Sequence, residues 1–420
     1  MLIGLLLLGG WMAGKLAERH RVPAITGYLF LGVIGGPEIL DLVDKGMILR
    51  SETGKIPPLK FVSDLAIALI ALTAGGEIRI DFLRSHFRKV SVILLVHMGF
   101  LMAAVGTAVW LARGSVPFLA DLTPITVAVI AILCSVVMVA KSPAVTIAMI
   151  NDYKAVGPLS QMTLVITVLK DLLLIVMFSI AMAVSKGLLG NSEISGEFLW
   201  IVGIQLLGSL TLGAILGLVM GLYVAVVRVH LPIFLSGWCL FVAIIGEHQF
   251  HIPGIEGHYV HLEPLIVALA AGLLLNNLWP ERSRGLFRAV EITSLPVYCI
   301  FFALAAAKID LGALTSLWYL SLGIAVVRLA ATWAGIAYGV RLSGESGPWT
   351  KYLWLGMVSQ AGVSLVLVTV ISEAFSHTDW AAPLREVLIG AIFINQLFGP
   401  IMFRHGLLAT GEGVSPSAKE

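Results

Sequence analysis

The chain has 420 residues, of which 58% are hydrophobic and only 12% are charged, and its mean hydropathy is +0.97. Since a soluble protein carries about 25% charged residues, this composition predicts a polytopic membrane protein. The formal net charge of +2, with lysines and arginines spread over short loops, predicts no nucleic-acid partner. The three cysteines all fall within apolar stretches, so we expect neither a disulfide framework nor a transition-metal site.

The apolar runs of the chain define its predicted membrane spans. Each is close to the roughly 20 residues that an α-helix needs to cross a bilayer, and polar breaks separate one run from the next. The predicted spans are 2–18, 23–41, 60–78, 89–112, 123–150, 157–185, 197–227, 229–249, 259–277, 286–307, 314–340, 349–373 and 383–403. The predicted fold class is therefore an all-α polytopic membrane protein with about 13 transmembrane helices.

The first apolar run is predicted to be a spanning helix with its amino end outside. In a signal peptide the basic residues precede the apolar run, whereas Lys15, Arg19 and Arg21 follow it here. With this orientation, inward loops hold about 16 of the 27 lysines and arginines and outward loops about 8, as the positive-inside rule requires. The carboxyl end is then cytoplasmic, and residues 405–420 are expected to form a short tail.

Three pairs of segments indicate an internal repeat. The second and ninth spans contain GYLFLGVIGG and IVALAAGLLLNN, and the third and tenth contain IALTAGGEIRIDFL and FFALAAAKIDLGAL. The fifth and twelfth contain SVVMVAKSPAVTIAMI and GMVSQAGVSLVLVTVI. Because each pair is separated by an odd number of spans, the second copy enters the membrane from the opposite side. Inverted repeats of this kind are common in secondary transporters, whose site lies at the midplane between broken helices.

The fifth and twelfth spans carry helix-breaking residues at their centres. Lys141, Ser142 and Pro143 form a break in which the proline lacks a backbone donor and restricts the residue before it. Gln360 and Gly362 supply a polar side chain and a flexible glycine at the matching position of the other repeat. One such break alone could be an ordinary kink. The matching pair predicts two crossed, discontinuous helices, whose unwound backbone must be buried in protein or line a cavity.

Four charged residues fall in the middle of predicted spans: Lys141, Lys170, Asp171 and Arg328. Charge at this depth costs free energy, so such residues usually face the protein interior and mark an ion or proton path. Thr167 and Asp171 share a helix face, where a hydroxyl and a carboxylate can offer oxygen to a hard cation. Competition between a proton and a cation for one carboxylate is enough to couple their movements. Asp171 could instead be paired only with a core cation.

The two lysines leave more than one role open. The side chain of Lys170 is rotated by about 100° about the helix axis from that of Asp171, so it need not occupy the position of the ion. Like Lys141, it can lose its proton when buried and so carry protons, form a permanent ion pair, or contact an anion or another substrate. Arg328 stays charged, so we expect it to neutralise carboxylates or helix ends in the core.

The order and spacing of seven motifs resemble the monovalent cation:proton antiporter superfamily, in particular its Kef-like branch of bacterial sodium/proton and potassium/proton exchangers. The resemblance covers nearly the whole chain. The motifs are GYLFLGVIGGP at 27–37, LIALTAGGEIRIDFL at 69–83, SPAVTIAMI at 142–150, TVLKDLLLIVMF at 167–178, FFALAAAKIDLGAL at 301–314, VVRLAATWAGIAYGVRL at 326–342 and SQAGVSLVL at 359–367.

The resemblance implies one transmembrane exchanger domain over residues 1–404 and elevator-type alternating access. Its core would comprise helices of 60–185 and 286–403, and its dimerisation part those of 1–41 and 197–277. It also implies a homodimer in the lipid of a bacterial inner membrane, with transported Na⁺ or K⁺ and H⁺ and no cofactor. It does not indicate a regulatory subunit.

Several site residues carry over from that family. Asp171 matches its essential aspartate, Thr167 a position that can supply a hydroxyl ligand, and Arg328 the basic residue that stabilises the core. The residues that match the two helix breaks are Ser142, Pro143, Gln360 and Gly362.

At two positions the chain departs from the family pattern. Lys170 stands where the family has Asp, Asn or Gln, and Lys141 where it usually has a small hydroxyl residue, so both put a cation in the site. The leading function is exchange of Na⁺ or K⁺ for protons. The alternatives are a same-fold transporter of an anion or organic solute, and a gated channel or non-transporting regulator. An enzyme is not expected, because the sequence has no nucleophile–base arrangement and no nucleotide-binding loop.

Overall fold

The structure is a computed structural model that describes residues 2–20, 22–36, 39–40, 60–78, 80–189, 196–227, 230–251, 259–307, 317–360 and 362–414. Its α-helices are α1 Leu2–Arg19, α2 Ala24–Gly35, α3 Lys60–Glu77, α4 Ile80–Ala112, α5 Pro117–Ala120, α6 Pro124–Val139, α7 Pro143–Asp152, α8 Pro158–Leu188, α9 Gly196–Val226, α10 Leu231–Glu247, α11 Pro264–Leu278, α12 Pro280–Ala307, α13 Trp318–Ser343, α14 Gly362–Ala374 and α15 Ala381–Ala409. A 3₁₀ helix covers Pro348–Met357.

Apolar helices account for the predicted spans. Within the described residues, six segments are long and apolar enough to cross a membrane, and shorter apolar helices lie between them. The six are Arg84–Ala112, Pro124–Asp152, Pro158–Leu188, Gly203–Val226, Trp318–Ser343 and Ala381–Ala409. Each predicted span overlaps a described helix, so the predicted fold class, an all-α polytopic membrane protein, is confirmed. The number of crossings stays a prediction.

A short antiparallel ribbon lies at the junction of the predicted spans 229–249 and 259–277, and its second strand replaces the predicted beginning of the latter. Strand β1 covers Gln249–His251 and β2 covers Tyr259–His261, with Phe250 opposite Val260. Helix α11 therefore begins at Pro264 and not at residue 259. Tyr259 and Val260 are apolar like the residues that follow Pro264, so hydropathy did not separate β2 from the helix. Proline at the first helical position, where its missing N–H is not needed, sets the boundary.

The fifth and twelfth spans are discontinuous, as predicted. Helix α6 ends at Val139 and α7 begins at Pro143, while the 3₁₀ helix ends at Met357 and α14 begins at Gly362. Ser142 has extended backbone because Pro143 excludes the helical conformation before it. The two breaks meet directly, since Ser142 N donates to Ser359 O at 3.0 Å.

Backbone contacts divide the chain into two compact units. The first contains Met1–His20, Gly27–Ser85 and Trp200–Lys308, and the second contains Arg21–Thr26, His86–Leu199 and Ile309–Glu420. Both broken helices and the charged helix α8 belong to the second unit. Helices α3 and α12, which the resemblance assigned to the core, belong to the first. Which helices move during transport stays a prediction.

In the first unit, α3 and α11 approach each other backbone to backbone. A side chain on Gly272 would overlap the carbonyl oxygen of Leu72, and one on Gly75 would overlap that of Leu269. Small residues permit this kind of close packing between membrane helices, where no hydrophobic effect drives association. The two glycines therefore set the distance between these helices.

Replacing Gly272 by valine should destabilise the first unit, because the added side chain forces α3 and α11 apart. Overpacking of this kind costs about 1–3 kcal/mol, which a thermal unfolding assay in detergent would register as a lower melting temperature. The matched control is Gly237→Val on α10, since a Cβ at Gly237 meets nothing within 4 Å. Equal destabilisation by both variants would show that helix propensity, and not the close approach, limits stability.

Candidate functional site

Arg328 of α13 joins the two broken helices. Its guanidinium is fully buried, and every donor goes to a backbone carbonyl. Nε donates to Met138 O at 2.8 Å and Nη1 to Val358 O at 2.6 Å. Nη2 donates to Ala140 O at 3.1 Å and to Met357 O at 3.5 Å. One side chain thus binds the carboxyl end of α6 and the carboxyl end of the 3₁₀ helix together.

The charge of Arg328 suits this position. The last carbonyls of a helix have no partner within the helix, and the helix end carries a partial negative charge of about half a unit. Two such ends converge on the guanidinium. The sequence left carboxylates or helix ends as its partners, and the hydrogen bonds of the described guanidinium go to helix ends.

Gln360 holds the second break against its neighbours. Its Nε2 donates to Val137 O at 3.2 Å and to Ser364 Oγ at 3.4 Å, and its Oε1 accepts from Asn395 Nδ2 at 2.9 Å. Asn395 of α15 was not singled out in the sequence. The sequence does contain a feature that could have identified it, because Asn395 and Gln396 are adjacent amides in the middle of an apolar span.

Lys141 is bound within its own break. Its Nζ donates to Thr146 Oγ1, and that hydroxyl donates to Ser142 O at 3.0 Å. Ser142 also caps α7, because its Oγ accepts from Val145 N at 3.2 Å. Lys141 is 1% exposed. Sequence reasoning missed Thr146, a hydroxyl one turn into α7.

Lys170, Asp171 and Thr167 lie in the middle of α8. Thr167 Oγ1 donates to Thr163 O at 2.6 Å, which leaves the hydroxyl lone pairs able to accept or to bind a cation. Asp171 is 6% exposed and lies close enough to Lys141 and Lys170 for their charges to interact. Lys170 is fully buried, and its Nζ has no hydrogen-bond partner in the part of the chain that the structure describes.

His97 of α4 was missed in the sequence. It is fully buried, and neither ring nitrogen has a hydrogen-bond partner among the described residues. The charges of Lys170 and Arg328 both act on it. Gly335 packs against its backbone, since a Cβ there would lie 3.0 Å from His97 Cα. The sequence feature that could have identified His97 is its position as a single histidine inside the apolar span 89–112.

The buried charges of this site do not balance. Among the described residues, the buried lysine, arginine and acidic side chains are three basic groups, Lys141, Lys170 and Arg328, and one carboxylate, Asp171, and the imidazole of His97 is buried as well. The helix ends offset Arg328, which leaves two lysines beside one carboxylate. An unpaired buried charge costs several kcal/mol, so this excess of basic groups is the unusual feature of the site. No group of His, Cys, Asp and Glu in the described residues could hold a metal ion of the transition type.

The chain is similar to known proteins over nearly its whole length. Residues 3–407 match the family described as sodium/hydrogen exchanger, transmembrane. The chain belongs to that family. The exchanger is also similar to the Na⁺/H⁺-K⁺ antiporter GerN of Bacillus cereus, with 21% identity over 422 residues, 99% of this chain and 98% of GerN. The resemblance inferred from the motifs is thereby confirmed.

Solved structures show the same fold. The exchanger matches the sodium proton antiporter MjNhaP1 of Methanocaldococcus jannaschii at pH 8 with a TM-score of 0.67 and 17% identity, covering 98% of this chain and 97% of that one. An electron-microscopy map of MjNhaP1 gives a TM-score of 0.74 with 18% identity, covering 97% and 96%. At this identity the match establishes the fold alone.

Replacing Arg328 by methionine should destabilise the exchanger, because two helix ends would lose their only cationic donor group among the described contacts. Removing one partner from a buried charged interaction costs about 3–5 kcal/mol, measurable as a lower melting temperature in detergent. Arg328→Lys should restore only part of it, since an ammonium cannot reach all four carbonyls. Arg341→Met, at an exposed position of the same helix, is the control. Equal melting temperatures for both methionine variants would contradict this role.

Proposed function

We propose that the exchanger is a secondary active antiporter that moves Na⁺ or K⁺ in exchange for protons across a bacterial inner membrane, by elevator-type alternating access. The observation that carries this is Asp171, the one buried acidic residue in the described part of the chain, in the unit that contains both broken helices. Family membership supports proton-coupled exchange, and the name of GerN supports both Na⁺ and K⁺ as candidates.

Asp171 and Thr167 provide the ligands in this proposal. Their oxygens lie one helical turn apart on α8 and suit a hard monovalent cation, which prefers oxygen ligands. A proton bound to the carboxylate occupies the same position as the cation. Only one of the two can cross with Asp171 at a time, and alternating access of the site to the two sides converts this competition into exchange.

Lys170 acts as a second proton carrier. Its ammonium has no acceptor among the described residues, so its charge is stabilised mainly by Asp171. A cation that binds to Asp171 removes that stabilisation and adds repulsion, which is strong at low effective dielectric. Lys170 therefore releases its proton when the cation binds and takes it up when the cation leaves.

The surplus of buried cations favours a second candidate, a transporter of small anions. In that case an anion would bind the Lys170 ammonium, which has no other described acceptor. Proteoliposomes with a pH-sensitive dye distinguish the two candidates when Na⁺, K⁺, Li⁺ and Cl⁻ are titrated separately. Proton movement that follows the cation supports exchange, and movement that follows only chloride supports the anion.

Asp171→Asn should abolish cation-driven proton movement in proteoliposomes, because the amide keeps the shape of the side chain but cannot bind a proton or neutralise a cation. The protein should still fold, so its elution profile and melting temperature in detergent should stay near wild type. The control is Asp379→Asn, which removes an exposed carboxylate of the same unit. Undiminished exchange by Asp171→Asn would remove the basis of the proposal.

Lys170→Gln should keep cation binding but move a different charge per cycle, because one proton carrier is lost. Lys170→Asp should shift the behaviour toward that of exchangers with two acidic residues. Transport currents on a supported membrane, recorded across pH for wild type and both variants, measure this. Identical currents and pH profiles for all three would make Lys170 a structural partner and leave coupling to Asp171 alone.

We also propose a homodimer, formed by the first spans and those of 197–249, with the amino end outside and the carboxyl end cytoplasmic. The resemblance to the family supports the dimer, and the sparse charge of these helices suits a contact within the membrane. Native mass spectrometry in mild detergent with added lipid should show a dimer. A spectrum with monomer alone would contradict this assignment.

A further inference from the structure

One face of α8 leads from its beginning to Asp171. Ser160, Thr163, Thr167 and Asp171 lie within an arc of about 80° on an α-helix with 3.6 residues per turn. Thr163 precedes Asp171 by eight residues, which is about 12 Å along the helix axis. Polar side chains in this spacing form a continuous stripe along one face of α8.

One side chain of this stripe and two from other elements have buried polar atoms without a hydrogen-bond partner among the described residues. They are the hydroxyls of Thr163 and Ser359 and both amide atoms of Gln396. Thr163 and Ser359 are fully buried, and Gln396 is 1% exposed. Buried polar groups in proteins are almost always bound by protein, water or ligand, so three of them in one region require a partner.

The three groups come from three elements that converge on residues 356–359. A Cβ on Gly356 would lie 2.8 Å from Thr163 Oγ1, so α8 touches the 3₁₀ helix there. Ser359 follows three residues later, and a Cβ on Gly399 of α15 would lie 2.6 Å from Ser359 Cβ. Gln396 is one turn before Gly399 on the same helix.

We propose that Thr163, Ser359 and Gln396 form a second site for a monovalent cation, which the ion occupies before it reaches Asp171 from the Pro158 end of α8. This inference rests on the proposed exchange function. The site offers two hydroxyl oxygens and one amide oxygen, the ligand type that hard cations prefer. It carries no net charge, so it holds the ion weakly and releases it to the carboxylate, as conduction through successive sites requires.

The beginning of α8 has the charge that such a route needs. The carboxylate of Glu412, near the end of the described chain, accepts from Leu159 N at 2.7 Å and from Ser160 N at 2.8 Å. The Ser160 hydroxyl donates to it at 2.7 Å. A negative charge at the mouth of a polar path raises the local concentration of cations. The stripe therefore has a carboxylate at each end and neutral oxygens between them.

The first test separates cation binding from turnover. Thr163→Val and Gln396→Leu keep the volume of each side chain but remove its ligand atoms. Each should raise the KM for Na⁺ or K⁺ about tenfold, which is the effect of losing one polar contact to a charged group. The kcat should stay within about twofold of wild type. Because the two variants lie on different helices, a folding defect in one leaves the other informative.

Ser185→Ala is the matched control. Ser185 lies on α8 beyond Asp171, is fully buried and also has no described partner for its hydroxyl, so it should leave KM unchanged. Unchanged KM in both test variants would overturn the second site and leave ordered water as the partner of these groups. A rise of the same size in Ser185→Ala would also overturn it, because the loss of any buried hydroxyl would then suffice.

A second test does not depend on transport. In an Asp171→Asn background, Na⁺ should still raise the melting temperature in detergent, since the second site keeps its ligands. Adding Thr163→Val and Gln396→Leu should abolish this rise. Absence of any Na⁺ effect in the Asp171→Asn protein would overturn the second site. If the wild type exchanges no cation in proteoliposomes, the proposed function fails, and this measurement still decides whether the second site exists.

Discussion

The arrangement of the second unit depends on the binding of two helix ends by one guanidinium. A helix that stops at bilayer depth exposes carbonyl groups that neither lipid nor water can satisfy there, and two helices stop side by side at Ala140 and Val358. Arg328 supplies donors to both ends and a positive charge that offsets their partial negative charges. A lysine ammonium has fewer N–H donors than a guanidinium, and they are not fixed in a plane. Arginine is therefore better suited to hold the two interrupted helices in one register. The direct bond between Ser142 and Ser359 follows from that register.

The charge balance gives the site its distinctive chemistry. Once the helix ends offset Arg328, two buried lysines are left beside Asp171, and their environments differ. Lys141 has a hydroxyl partner in its own break, whereas Lys170 has no described acceptor. In the proposed mechanism, Lys170 is therefore the group whose charge depends most on whether a cation occupies Asp171. The proposed Lys-Asp pair would couple a proton to a cation through electrostatic repulsion as well as through competition for one carboxylate.

Much of the fold was predictable because its signals are local. Hydropathy located the spans, and Pro143 and Gly362 located the breaks. Asp171 and the three basic residues were identified by their position in the middle of predicted spans. Prediction failed at β2 and the beginning of α11, since apolar residues lie on both sides of Pro264 and hydropathy does not distinguish a short ribbon from a helix. It also passed over His97, Thr146 and Asn395, because a single polar residue in an apolar span becomes informative only when its neighbours are known.

By itself the sequence determined that this is a polytopic membrane protein that resembles cation:proton exchangers, with two interrupted helices and a carboxylate beside a lysine in the middle of a span. The tertiary structure decided what those residues contact. Arg328 binds backbone carbonyls of residues far away in the chain. Because any residue type has a backbone carbonyl, no sequence motif predicts these partners. The approach of α8 and α15 to residues 356–359 is likewise invisible in the sequence. It arises because glycines at 356 and 399 let three elements approach within van der Waals distance, and only packing determines which helices those glycines face.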